Sequence, residues 1–240
     1  MKGLSIVLPC LNEGKNVAEI IKQFCLLLPK KEYPVEIIIV DGGSCSEDIK
    51  LIENELKLAE GSSRFFKLCS PSDFGGYGGD ILKGLQVSKF QTLAWTHTDL
   101  QTDINDPIDI FENFFLKSNQ TDILVKGNRK QRNLFDKIFS IMMELTTFFL
   151  KHTYLHDINA QPKVFSRNFF NSVDFHNAPS DFNFDLFFLL EARKSNIKII
   201  EYPVYFNRRL FGVSKGGDSF KNKLKLSLKT LKYLIYKRNT

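Results

Sequence analysis

Polar and acidic side chains follow three apolar runs of the sequence. Asn12 and Glu13 follow the first run, Asp41 ends the second, and Asp99 with Gln101 follows a later one. Ligands of open α/β sheets bind beyond the carboxyl ends of the strands, so we expect these side chains to share one cleft. Asp41 could accept hydrogen bonds from a ribose or a base edge, whereas Asp99 and Gln101 could supply oxygen ligands to a divalent cation. A cation that bridges a diphosphate neutralises charge on a leaving group.

The same side chains also have purely structural explanations. An aspartate at a strand end is often a turn or helix-capping residue, and Asn12 with Glu13 could cap a helix in the same way. The glycines within residues 75–79 could form a loop that binds nothing. A capping role easily explains any one of these residues, but it explains less well why several acidic residues follow strands in this order. The combination therefore favours a polar cleft.

The first half of the chain alternates between strand-like and helix-like segments. Short apolar runs predict strands at residues 4–8, 35–40, 65–68, 91–96 and 122–126. Apolar residues at helical spacing predict a first helix after Asn16, which could cap it, and further helices at 80–87 and 107–116. This alternation is typical of a parallel sheet with helices on both faces. The sequence therefore predicts an α/β fold with a mostly parallel central sheet.

The second half of the chain is richer in long apolar segments. Residues 134–150 predict a very apolar helix, for which core burial is favoured and an interfacial position is the alternative. A short strand is predicted at 164–165, a helix at 182–196 and a strand at 197–204. The tail predicts a basic amphipathic helix whose apolar stripe comprises Phe220, Leu224, Leu228, Leu231 and Ile235. Such a helix can lie on an anionic bilayer, or it can pack on its own domain.

Composition limits the classes of partner. The 240 residues carry a net charge of +6, which suits nucleotide diphosphates, lipid phosphates or a membrane surface. No RRM or helix-turn-helix signature is evident, so nucleic acid is not an expected partner. Four cysteines without CxxC spacing favour a reducing, cytoplasmic compartment over a disulfide framework. We see no signal peptide and no apolar run of about 18 residues, so a lipid substrate would be reached from the membrane surface.

Six motifs occur in order along the chain. They are LPCLNE at 8–13, VDGGS at 40–44, GYGG at 76–79, TDLQ at 98–101, DINAQPKVF at 157–165 and PVYFNRRLFGVSK at 203–215. Together they resemble the family 2 glycosyltransferases of the GT-A fold. The last motif is similar to one in the dolichyl- and polyprenyl-phosphate sugar synthase branch. The resemblance spans residues 4–217 and implies a glycosyltransferase domain at 1–217, followed by the amphipathic tail at 218–240.

The resemblance implies a role for each motif. Asp99 and Gln101 would hold Mg²⁺ or Mn²⁺ against the diphosphate of a nucleotide-sugar donor, a GDP- or UDP-sugar. The residues implied to line the donor site are Pro9, Asn12, Glu13, Asp41, Gly43, Gly76, Gly79, His97 and Asp99. A further segment, KGNR at 126–129, resembles the family's GSR segment and contains Arg129. The residues implied to bind donor or acceptor phosphates, for which the arginine fork is suited, are Arg129, Arg208, Arg209 and Lys215.

Five positions depart from the family's pattern. His97 replaces the first aspartate of the metal motif, which removes one carboxylate from the expected metal site. Ser46 stands where many relatives have aspartate, and Asp80 stands where a small residue is usual. The Gln-Pro pair at 161–162 replaces a Gly-Phe pair on the acceptor side. These departures indicate a sister branch with its own acceptor.

The resemblance implies a hexosyl transfer with inversion at the anomeric carbon, in which Asp99 assists departure of the nucleoside diphosphate. A lipid phosphate is already an anion and can attack without a base, whereas a sugar hydroxyl needs a general base within hydrogen-bonding distance. Asp185 is the best candidate for that base by position and Asp157 is the second. A structural role for Asp185 in the first turn of a helix is an equally good interpretation.

Three functions remain open from the sequence. The favoured one is transfer to a polyprenyl-phosphate-type lipid by a peripheral enzyme at the cytoplasmic face of a membrane, with a membrane protein as a possible partner. The second is transfer to a sugar hydroxyl of a surface glycan. The third is a non-catalytic nucleotide-sugar-binding subunit that lost activity with the carboxylate replaced by His97. The retained Asp99 and Gln101 argue against the third.

Overall fold

The computed structural model describes residues 2–59, 65–118, 122–131, 134–205 and 220–236, apart from the side chains at 134–136 and 220–223. The strands of these residues are β1 (Leu4–Cys10), β2 (Val35–Asp41), β3 (Phe66–Cys69), β4 (Thr92–Trp95), β5 (Ile123–Lys130), β6 (Lys163–Ser166) and β7 (Lys198–Tyr205). The helices are α1 (Gly14–Leu27), α2 (Ser46–Leu58), α3 (Gly76–Val87), α4 (Asp106–Ile110), α5 (Leu134–Lys151), α6 (Arg167–Ser172), α7 (Phe184–Lys194) and α8 (Phe220–Tyr236). A short 3₁₀ turn (Leu28–Lys30) follows α1, and a π-helical segment (Phe111–Leu116) continues α4.

The strands form one sheet in the order β3-β2-β1-β4-β6-β5-β7. β6 pairs antiparallel with β4 and β5, and the other pairings are parallel. This confirms the predicted α/β fold with a mostly parallel sheet. The chain continues from β1 to β2 on one side, and later returns to place β4 on the other side. The loops after β1, β2 and β4 therefore open at a switch point of the sheet, where α/β proteins bind ligands.

Hydrophobic clusters cover both faces of the sheet, so β1 and β2 are buried along their whole length. Val7 and Trp95 pack on the face covered by α3 and α7. Ile6 and Ala94 pack on the opposite face, which is covered by α1 and α4. Neighbouring positions of one strand point to opposite faces, so a strand buried on both sides reads as a continuous apolar run. That physical rule explains why the short runs at 4–8 and 35–40 were recognisable from the sequence.

Gly84 lets α3 approach the sheet closely. A Cβ atom at this position would lie 2.3 Å from Cγ1 of Val7 and 3.1 Å from Cγ2 of Val40. We expect Gly84→Ala to lower the free energy of unfolding by about 1–3 kcal/mol through overpacking, although alanine is the better helix former by about 1 kcal/mol. Urea denaturation measures this, with Gln86→Ala on the exposed face of α3 as the control. A Gly84→Ala protein as stable as the wild type would show that the contact relaxes freely.

Several element boundaries differ from the sequence predictions. The first helix begins at Gly14, before Asn16, and Asn16 is buried and donates to the Glu13 carboxylate instead of acting as the cap. α2 was not predicted, because Ile52 is its one fully buried residue and its apolar pattern is correspondingly weak. α3 begins inside the glycine cluster at Gly76.

The apolar helix at 134–150 was expected in the core, and that expectation was wrong for one whole face. Six large side chains of α5 are 44–70% exposed, namely Ile138, Ile141, Met142, Leu145, Phe148 and Phe149. Glu144 and Thr147 instead occupy the face that is turned to the domain. α5 also packs against α8. None of the helices in the described ranges is both long and apolar enough to cross a bilayer.

Candidate active site

The loops that follow β1 and β2 are tied together by Asn12. Its backbone N–H donates to Oγ of Ser44 at 2.7 Å, and its side-chain Oδ1 accepts from the backbone N–H of Cys45 at 2.8 Å. Asn12 adopts φ +49°, a left-handed conformation that asparagine tolerates better than most residues. The structure thus brings Asn12 and its neighbour Glu13 to the end of β2. The two loops that the sequence predicted to lie together are therefore adjacent.

Asp41 closes the turn at the end of β2. Its carboxylate accepts from the backbone N–H groups of Gly43 and Ser44, each at 3.2 Å, and also from the Ser44 hydroxyl. Gly43 adopts φ +96°, which explains the glycine at this position. The carboxylate is therefore oriented by its own turn. Contact of Asp41 and Gly43 with a donor base or ribose remains a prediction.

The metal motif lies in a tight turn after β4. Oδ1 of Asp99 accepts from the backbone N–H of Gln101 at 3.1 Å, and the intervening Leu100 adopts φ +55°. Thr98 donates to the carbonyl of Pro9 at 3.2 Å, which joins this turn to β1. Pro9, Asp99 and Gln101 therefore lie along one edge of the sheet, as predicted.

The possible metal ligands predicted at this turn, Asp99 and Gln101, include one carboxylate. In the described part of the chain, no three His, Cys, Asp or Glu side chains form a group that could hold a metal ion. Mg²⁺ is bound in many enzymes by one or two carboxylates, with water and substrate phosphates completing its coordination. Asp99 and Gln101 fit that kind of site, in which the diphosphate supplies the missing oxygen ligands.

His97 packs against the ring of Tyr77, with the ring centroids 5.6 Å apart. Burial lowers the pKa of His97 below its usual value, and the charges of Asp99 and Asp185 act in the opposite direction. Near neutral pH the imidazole is therefore uncharged and can exchange hydrogen bonds with a ligand without adding positive charge. His97 cannot replace the anionic ligand that the family's aspartate would provide.

The glycine-rich turn is shaped by close packing against the loop that precedes α7. Gly76 adopts φ +71°, and the backbone N–H of Gly78 donates to the carbonyl of Ser180 at 2.7 Å. A Cβ atom at Gly79 would lie 2.5 Å from Oγ of Ser72. These contacts account for the glycines without a ligand. Donor contact by Gly76 and Gly79 stays a prediction.

Asp80 stands where a small residue is usual in the family. Its side chain occupies the space beside Gly42, which has no side chain. A Cβ atom at Gly42 would lie 2.7 Å from Oδ2 of Asp80. Oδ1 of Asp80 accepts from the backbone N–H of Ser72 at 3.1 Å, and burial raises the pKa of this carboxyl. Asp80 therefore links the first turn of α3 to the loops after β2 and β3.

Asp157 and Arg129 form a clamp at the far side of the cleft. Oδ2 of Asp157 accepts from the backbone N–H of Arg129 at 2.9 Å, and its oxygens also bind the guanidinium of the same residue. The backbone N–H of Asp157 donates to Oε1 of Glu144 at 2.8 Å. Arg129 is thus oriented by a carboxylate that α5 holds in place.

Asp185 lies in a buried ion pair that sequence reasoning missed. It is 2% exposed, and its Oδ1 accepts from the fully buried Lys163 and from Nε2 of Gln161 at 2.7 Å. Gln161 also donates to the hydroxyl of Tyr77 at 3.1 Å, which explains why glutamine replaces the usual glycine. Burial lowers the pKa of Lys163, and Asp185 opposes that shift. A lysine beside Val164 in an apolar strand was the available signal, because a buried charge requires a partner.

The structure therefore brings together the predicted residues of the loops after β1, β2 and β4, the clamp residues and Asp185. Arg208, Arg209 and Lys215, which were predicted to bind phosphates, lie outside the described residues.

Solved structures with this fold include glucosyl-3-phosphoglycerate synthase from Mycobacterium tuberculosis. Its complex with Mn²⁺, UDP and glucosyl-3-phosphoglycerate is 16% identical, with a TM-score of 0.68 over 99% of this chain and 80% of that one. Its complex with Mn²⁺, UDP-glucose and phosphoglyceric acid is 15% identical, with a TM-score of 0.69 over 99% and 79% of the two chains. At this identity the likeness shows a common fold and confirms the GT-A expectation. No curated protein matches the chain.

The sequence comparison is more specific than the fold. The model of the family described as Glycosyl transferase family 2 matches residues 5–168, which is more than half of the chain and includes the turns at Asn12, Asp41 and Asp99. This chain belongs to glycosyl transferase family 2 and is a glycosyltransferase.

Proposed function

We propose that this glycosyltransferase moves a sugar from a GDP- or UDP-sugar to the phosphate of a polyprenyl-phosphate-type lipid, at the cytoplasmic face of a membrane. The proposal extends the family assignment to an acceptor class and a location. All four cysteines are free thiols, which fits a reducing compartment. The motif at 203–215, which favours this branch in the sequence, falls mostly outside the described residues.

The proposed lipid-phosphate acceptor is supported by the burial and ion pairing of the two candidate bases. Asp185 is buried and paired with Lys163, and Asp157 is buried and bound by the backbone and guanidinium of Arg129. Each carboxylate already accepts hydrogen bonds from a neighbouring cation, so a substrate hydroxyl would have to compete with Lys163 or Arg129 for it. A phosphate acceptor needs no proton removed from its attacking oxygen near neutral pH, so this arrangement suits it better than a sugar hydroxyl.

The proposed reaction is one displacement at the anomeric carbon. An acceptor phosphate oxygen forms the new C–O bond as the bond to the nucleoside diphosphate breaks, and the bonding electrons pass to the departing β-phosphate. Asp99 and Gln101 would hold Mg²⁺ or Mn²⁺, which supplies positive charge at the diphosphate when bound. The solved relatives carry Mn²⁺ with UDP or UDP-glucose, which supports this choice of cofactor. Arg129, whose guanidinium is oriented by Asp157, would bind an acceptor phosphate.

An acceptor panel tests the proposal directly. We expect transfer to a short-chain polyprenyl phosphate and none to the matched polyprenol, because the alcohol lacks the anionic nucleophile. Phosphoglyceric acid belongs in the panel, since it is a ligand of the solved relatives, and so does an oligosaccharide. Radiolabelled GDP- and UDP-sugars with Mn²⁺ provide the measurement. Transfer to phosphoglyceric acid or to the oligosaccharide, with none to the lipid phosphate, would overturn the acceptor class.

A further inference from the structure

We propose that α5 and α8 together form a docking surface for an anionic lipid bilayer. We call it the α5–α8 surface, and we define it by the exposed apolar side chains of the two helices. The inference deepens the proposed function and rests on it for the acceptor, because the surface would bring the active site to the level of lipid phosphates. From the sequence, a membrane role was weighed chiefly for the tail, and an interfacial position of residues 134–150 was the less favoured alternative to core burial.

The first observation is the exposed face of α5. Its large exposed side chains recur at helical spacing and form one stripe, from Ile138 through Met142 and Leu145 to Phe149. Phe148 and Phe149 contact each other edge to face at the end of the stripe. A contiguous apolar stripe of this size on a soluble domain marks an interaction site.

The second observation is the orientation of α8. The helix is anchored on its domain by the buried Leu234 and by Thr230, whose hydroxyl donates to Oδ1 of Asn183 at 2.9 Å. The predicted apolar stripe does not provide this contact, because Leu224, Leu228 and Ile235 are all exposed. Tail packing and an exposed stripe therefore coexist, and the two alternatives weighed from the sequence were not exclusive. α8 packs beside α5, so both apolar faces belong to one helix pair.

The charge of α8 identifies the occupant. Residues 220–236 contain five lysines and no acidic residue. Lys225 and Lys232 are exposed beside the stripe, while Lys229 pairs with Asp181 at 3.0 Å. Each lysine near an anionic bilayer adds electrostatic attraction to the lipid headgroups. A second copy of the chain docked through the same helix would place like charges against one another, so an anionic lipid surface is the better complement.

The α5–α8 surface is connected to the active site through one helix. Glu144 lies on the buried face of α5 and holds the backbone of Asp157, which in turn orients Arg129. The exposed face of the same helix would rest on the lipid. Docking at α5 would therefore hold the Arg129 side of the cleft near the headgroup layer, where a lipid-linked phosphate resides.

Vesicle flotation of the full chain tests the α5–α8 surface. Phe149→Asp and Leu228→Asp each replace an exposed side chain, and Leu58→Asp on α2 is the control because Leu58 is 81% exposed. We expect wild type and control to float with phosphatidylcholine vesicles that contain phosphatidylglycerol, and to float much less with phosphatidylcholine alone. Each variant should lower the vesicle partition coefficient, obtained by varying the lipid concentration, at least about tenfold, because each removes one apolar side chain from the interface.

The outcomes separate this inference from the proposed function. If Phe149→Asp and Leu228→Asp float like the wild type while melting normally, the surface is wrong. If sedimentation shows that the wild type is a dimer and that both variants are monomers, the surface joins two copies of the chain. The assignment of a lipid bilayer as its partner would then be wrong. Both variants should keep transfer to a water-soluble short-chain polyprenyl phosphate. Loss of flotation with this transfer intact supports the surface, and normal flotation without any transfer to phosphates would sink the proposed acceptor alone.

Discussion

Asp99→Asn is expected to lower kcat/KM by about 10³-fold while leaving the fold intact. The asparagine keeps an oxygen that can accept the hydrogen bond from the backbone N–H of Gln101, so the turn after β4 should survive. It removes the negative charge on which a divalent cation at this turn depends, because His97 is uncharged near neutral pH. Removal of one interaction that stabilises a departing group commonly lowers the rate by a factor of this size.

The measurement for Asp99 combines kinetics with ligand-induced stabilisation. A nucleoside diphosphate with Mn²⁺ should raise the Tm of the wild type, and this metal-dependent part should disappear in Asp99→Asn. Asp103→Asn is the matched control, because Asp103 is an exposed carboxylate four positions further along the chain. We expect its activity to stay within about twofold of the wild type. Full activity and an unchanged Mn²⁺ response in Asp99→Asn would exclude the proposed metal site.

The ion pair of Lys163 and Asp185 gives the largest expected loss of stability. Either Lys163→Met or Asp185→Asn should lower the free energy of unfolding by about 3–5 kcal/mol, because each leaves one buried charge without its partner. The double variant Lys163→Met/Asp185→Asn should lose much less than the sum of the two single changes, since no unpaired charge remains. Urea denaturation measures all three proteins.

An exposed ion pair provides the matched control for that cycle. Lys229 and Asp181 lie 3.0 Å apart and are partly exposed, so the corresponding cycle should show a coupling of about 1 kcal/mol or less. Additive losses at Lys163 and Asp185 would show that the buried pair has no special coupling. Asp185→Asn also tests catalysis: folded protein that still transfers sugar to a lipid phosphate excludes Asp185 as an essential base, whereas complete loss per folded molecule would favour a hydroxyl acceptor.

The chemistry at the strand ends could be read from the sequence because it is local. Asp41 ends one apolar run and Asp99 follows another after three polar residues, and parallel strands deliver their carboxyl ends to the same edge of a sheet. The order of the motifs also indicated the family, and the match over residues 5–168 confirms it. α2 was invisible to the same reasoning, since a helix that buries one residue fully leaves almost no periodic signal.

Long-range pairing explains what the sequence could not disclose. β6 inserts antiparallel between β4 and β5, which places Lys163 opposite Trp95 and within reach of Asp185, 22 positions away. No periodicity encodes that register, so Asp185 could be a base or a structural residue until the fold supplied its partner. The exposure of α5 has the same origin: hydrophobic spacing reveals an apolar face, whereas the packing of neighbouring elements decides whether that face meets the core or remains open to a partner.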